Sequence, residues 1–202
     1  MKKQVNKKDE AQTVHLLFGQ QTQSYVKPNA AQGLRDLFVD ELKYLHWAET
    51  AYARSIPNIM ANASSDTLVD TIESYRTSAR LQISRLNKIF TYLGEPLETV
   101  KCEAMTGLIK EAEQMMIETE KGMVRDAGII SSTQKIHHCQ IATYGTLCSF
   151  AKTLGEFKSA TLLQKTLVEK KSADKLLSEI AENSINIQAS AVNDQSYDIY
   201  EL

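Results

Sequence analysis

The stretch QKIHHCQIATYG, residues 134–145, puts His137 and Gln140 on the same face as Ile130, Thr133, Tyr144, Leu147, Ala151 and Leu154. These positions recur at the three- and four-residue spacing of one helix face. Polar side chains where a helix normally buries leucine need partners, or something to hold. Similar misfits occur elsewhere. Glu49 interrupts the stripe Leu34, Phe38, Leu42, Leu45, Tyr52, Ile56 and Ile59, and Gln82 interrupts Leu68, Ile72, Tyr75, Ala79, Leu86, Ile89 and Leu93. Lys170 and Asp174 do the same among Leu163, Leu167, Leu177 and Ile180. Carboxylates and imidazoles facing inward from several helices are the donor set of a di-iron or di-manganese centre. There carboxylate oxygen bridges hard cations and imidazole completes the coordination.

The elements that must position these groups are read from periodicity and stop signals. The first helix runs from Leu34 to Ala63, with Pro57 expected to kink its last turns. Ser64, Ser65 and Asp66 are available to cap a second helix, which Gly94 ends. A third, shorter helix covers Cys102 to Lys121 with Met105, Leu108, Ala112, Met115 and Met116 inward. Gly122 separates it from a fourth helix, Arg125 to Leu154, and Gly155 separates that from a fifth, Phe157 to Glu182. Four long helices and a shorter one with short loops make an all-α antiparallel four-helix bundle with an additional helix. Residues 1–31 read as a flexible polar arm, 32–189 as the bundle and 190–202 as a tail.

Antiparallel pairing about the Ala63–Ser64 turn sets Glu49 level with Ser78, and Leu45 level with Gln82. Pairing about Gly155 sets His137 level with Asp174, and Gln140 level with Lys171, beside Lys170. A polar layer of Glu49, Ser78, Gln82, His137, Gln140, Lys170 and Asp174 therefore crosses the bundle at mid-length, flanked by His46 and His138. Its composition argues against an intact di-metal centre, which needs about four Glu and two His. A protonated lysine cannot ligate and repels a cation, but beside Glu49 and Asp174 it can neutralise them. Lys170 is thus expected to take over the electrostatic role of the metal, with no cofactor bound. Were Lys170 to reach outward instead, Glu49, His137 and Asp174 would remain as a weak metal site for iron or manganese.

The bulk properties narrow the class. The chain has 202 residues, a net charge of −2, 43% hydrophobic and 24% charged residues, and only 8 Gly and 3 Pro, which favours long helices over a turn-rich β domain. Acidic and basic residues interleave, without the one-sided basic footprint that nucleic-acid binding requires. The 3 cysteines are odd in number, the N-terminus has no signal-peptide apolar region, and no apolar run approaches a membrane span, so a cytoplasmic protein is expected. No phosphate-binding glycine loop, nucleophile elbow or CxxC pair occurs.

The stretches LFVDELKYLHWAE, IPNIMANASS, KCEAMTGLIKE, EKGMVRDAGII, QIATYGT and LVEKKSADKLL together resemble the ferritin-like YciE/YciF stress proteins of bacteria, from Leu34 to Ala189. The resemblance implies a ferritin-like five-helix bundle that pairs into homodimers, stress-linked expression, and bundle carboxylates and histidines holding two metals. Carried over by position, Glu49 matches the first-helix Glu of that family. The ETxxH pattern falls on Ser78, Ala79 and Gln82, and EHYE becomes His137, His138, Cys139 and Gln140. EExxxD keeps Glu169 and Asp174 but has Lys170 at its second Glu. The resemblance carries the fold and breaks the metal site.

The remaining candidates have plainer readings. His46 lies a turn from Glu49 but reads as a packing or surface group, Glu111 as a solvated charge, and Cys139 as a small hydrophobe. Three functions compete: a non-enzymatic stress or interaction protein with a salt-bridged core, a metal-binding oxidase, peroxide scavenger or iron-handling protein, and a scaffold recruiting a protein partner through its tails.

Overall fold

Why the chain turns where it does is visible at the helix ends. A computed structural model describes residues 30–197, with side chains as far as residue 192. The expected arm therefore lies outside the described residues, apart from residues 30 and 31, as does the end of the expected tail. Helix α1 spans Leu34–Asn62 and runs on through the exposed Pro57. Helix α2 spans Asp66–Leu93 and ends on Gly94 in the left-handed conformation, φ 68°. Glycine is favoured there because a Cβ is strained at that φ. After the extended loop come α3, Glu103–Glu118, α4, Met123–Thr153, and α5, Phe157–Ile180.

The N-terminus of α2 is capped differently from the local expectation. Ser65 occupies the cap position but makes no capping bond with its side chain. Asp126 of α4, wholly buried, instead accepts the Ser64 amide at 2.9 Å on one oxygen and the Ser65 amide at 2.7 Å on the other. A carboxylate from a distant helix thus satisfies orphan donors and complements the helix dipole.

Beyond α5 the helical path does not stop at Glu182, the expected end of the fifth helix. A π-helical turn, Ala181–Ile185, leads into α6, Asn186–Tyr197. Ile180, Ala181 and Ile185 are all buried in the core. Ala181 and Ile185 continue the four-residue step from the buried Leu177, so the core face of α5 runs on through the π turn.

The helices form two antiparallel hairpins, α1–α2 and α4–α5. The hairpins dock so that α1 lies against α4 and α2 against α5, while α3 packs on α1 and α4. Two apolar clusters fill the bundle. One contains Phe38, Leu42, Leu45, Leu86, Phe90, Tyr144, Leu147, Leu163 and Leu167. The other contains Tyr52, Ile56, Leu68, Ile72, Tyr75, Ile129, Ile136 and Leu177. Along α1, α2, α4 and α5 the break between them falls at Glu49, Gln82, Gln140 and Lys170, so the core is two apolar blocks separated by a polar layer. No helix among the described residues is long and apolar enough to cross a membrane.

Candidate functional site

The centre of the layer is an ion pair. Lys170 of α5 is 3% exposed, and its Nζ donates to Glu49 Oε2 of α1 at 3.1 Å, with Glu49 wholly buried. The ammonium also stands 5.3 Å from the centroid of the Tyr52 ring, within cation–π range. Burial pulls the lysine below its ordinary pKa, while the charge and hydrogen bond of Glu49 oppose that shift. Glu49 Oε1 has no hydrogen-bond partner among the described residues. The Tyr144 hydroxyl forms no bond of good geometry either, although burial first and Glu49 second hold its phenol firmly protonated.

His137 sits beside the pair. Its ring meets Tyr52 and Tyr75 edge-on at 5.8 and 5.1 Å, and its Nε2 lies 3.3 Å from the Tyr52 hydroxyl. Burial, reinforced by the charge of Lys170 and then by His138, lowers its pKa to about 3, so the imidazole is neutral at ordinary pH. Gln140 is buried with both ends of its amide unpartnered among the described residues. Gln82 donates to Glu169 Oε2 at 3.3 Å. Glu169 is gripped by the Arg85 guanidinium through bonds of 2.6 and 2.8 Å. Burial raises the pKa of that carboxyl, but Arg85 and Gln82 more than offset this and hold it below the usual range.

Two expected members of the layer sit elsewhere. Asp174 does not join Lys170. It pairs with the exposed His138, whose Nε2 lies 3.0 Å from Asp174 Oδ2 at the bundle surface. Of His137 and Asp174, only His137 feels the charge of Lys170, while Asp174 pairs with His138, one residue along from the level that pairing about Gly155 gave it. Ser78 is half-buried on the wall of a cavity rather than bonded in the layer. His46 turns away to Asn87, 2.7 Å from its Oδ1, and packs edge-on to Phe90. Glu111 is an exposed partner of Lys135. The grip of Arg85 was missed from the sequence; the one available signal was its place three residues after Gln82, on the same flank of the helix.

Residues 33–190 match the domain of unknown function DUF892. The chain belongs to this family. Protein YciF of Escherichia coli strain K12 is 34% identical over 157 residues, covering 77% of this chain and 95% of YciF. The solved structure of that E. coli stress protein superposes with a TM-score of 0.74 and covers 77% of this chain and 99% of its own. YcfI from Rhodopseudomonas palustris is 31% identical, with a TM-score of 0.73 over 76% of this chain and 98% of its own. A protein of Xanthomonas campestris at 16% identity and a TM-score of 0.63 shares the fold alone.

The resemblance implied a di-metal centre, and the donors of this DUF892 chain do not fit one. An ammonium occupies the Oε2 side of the inner carboxylate, and amides stand at Gln82 and Gln140. Among the described residues no three His, Cys, Asp or Glu side chains converge as a metal site would require. The contacts that the centre makes are an ion pair and hydrogen bonds.

Proposed function

We propose that this is a YciF-like, stress-associated bundle protein whose centre is ionic rather than metallic, and that it works by binding rather than by redox turnover. The observation that carries this reading is the buried Lys170–Glu49 contact at 3.1 Å. A fixed positive charge there serves the carboxylate in place of a cation and opposes the approach of one. The homodimer implied by the family resemblance belongs to the same reading, and sedimentation at micromolar concentration tests it.

The test of the ionic centre is elemental analysis of protein purified after growth with added iron, manganese and zinc. The expected metal content is far below one ion per chain, unchanged in Glu49→Ala. Near-stoichiometric metal that disappears in Glu49→Ala would overturn the reading and favour a metal-handling oxidase or peroxide scavenger.

A further inference from the structure

Between α2 and α5 a cavity of about 350 Å³ leads inward. Its walls pass from Val168 and Leu176, 54% and 41% exposed, to Tyr52, Gln82, His137 and Lys170, each 3% exposed or less. It is therefore a passage from the surface to the polar layer, with a volume inside the range of small-molecule sites, roughly 300–1,000 Å³.

Of the groups lining the inner end, Lys170 has donor capacity to spare, while the unpartnered oxygens Glu49 Oε1 and Gln140 Oε1 are not part of the lining. Lys170 carries three N–H bonds and gives one of them to Glu49. The Tyr52 hydroxyl and His137 Nε2 face each other at 3.3 Å, and the other ring nitrogen, Nδ1, has no partner among the described residues. An ammonium on the cavity wall with N–H bonds to spare calls for an acceptor. The charges, by contrast, are already balanced: Lys170 by Glu49, and Arg85 by Glu169. A carboxylate guest would bring a buried charge with no counter-ion, at a cost that hydrogen bonds do not recover.

We propose that this cavity binds a small uncharged carbonyl compound, a ketone or amide, whose oxygen accepts from Lys170 and whose apolar body lies against Tyr52, Tyr75 and Leu176. The proposal rests on the ionic reading of the centre, because a resident cation would favour an anionic guest instead.

The experiment uses the full chain, its metal content measured beforehand, titrated by ligand-observed NMR with acetophenone, ethylbenzene and benzoate. These have a similar body and differ in the head group. Acetophenone is expected to bind at least about tenfold tighter than either of the others, the factor that a hydrogen bond from a charged donor supplies. Lys170→Met should erase its advantage over ethylbenzene. Ser78→Trp, or the more exposed Ser172→Trp should the first not fold, should abolish binding of acetophenone by filling the passage. Equal binding of acetophenone and ethylbenzene, tighter binding of benzoate, no binding by metal-free protein, or indifference to the tryptophan would each overturn the cavity proposal. Stoichiometric metal overturns the ionic reading whatever the probes do, so the two failures are distinguishable.

Discussion

Glu49→Ala strands an ammonium that is only 3% exposed, and breaking a buried pair in this way costs about 3–5 kcal/mol. Lys170→Met is expected to cost at least ~1 kcal/mol less, because a carboxyl left alone can neutralise itself by taking up a proton. Urea melts of the two variants check the order, and the reverse order would count against the pairing. His137 gives a pH signature. Its pKa is about 3 in the folded chain against about 6.5 unfolded, so between those values the unfolded state binds the extra proton. Stability due to this residue is complete above about pH 6.5 and is lost as pH falls towards 3, with a slope approaching ~1.4 kcal/mol per pH unit. His137→Asn should flatten the wild-type curve in that window. Parallel curves would show that the imidazole is not held neutral.

Helix α2 depends on Asp126 for its start. Asp126→Ala removes the acceptor of two backbone amides and should cost about 2–4 kcal/mol, whereas Ser65→Ala, which removes no capping bond, should cost under about 0.5 kcal/mol. Thermal unfolding of the pair distinguishes a cap supplied by α4 from a local one. Interior helical glycines offer the opposite change. A Cβ at Gly107 in α3 or Gly145 in α4 would meet nothing within 4 Å. Alanine at either should therefore stabilise by about 0.5–1 kcal/mol through the unfolded chain. Gly128 differs, since a Cβ there would collide with the Met115 side chain, which would have to shift.

At the scale of the molecule, the polar layer divides one core into two apolar blocks. Sliding one of the four long helices by a turn would push an apolar side chain into the layer and a polar one into a block, so the layer penalises wrong registers more than it adds net stability. The double variant Glu49→Leu/Lys170→Met is accordingly expected to unfold at equal or higher denaturant concentration than wild type. Its amide spectrum should show line broadening from loosened helix register. A less stable double variant with a sharp spectrum would contradict this role.

Helix existence was legible because its causes are local: the apolar spacing on each face, and Gly94 and Gly155 at the stops. The presence of polar residues in the stripes was legible for the same reason, which is why Glu49, Gln82, His137, Gln140 and Lys170 were all identified as core groups. Partners were not legible. Whether Asp174 meets Lys170 or His138 turns on a one-residue difference in the level at which α4 and α5 pair. Whether Ser65 or Asp126 caps α2 turns on where α4 docks, some sixty residues away along the chain. The sequence by itself determined an all-helical bundle with charge in its middle, since burial periodicity is a property of each helix alone. Only the tertiary structure decided that one lysine answers one glutamate there and that a cavity reaches them, because both depend on which faces of different helices come into contact.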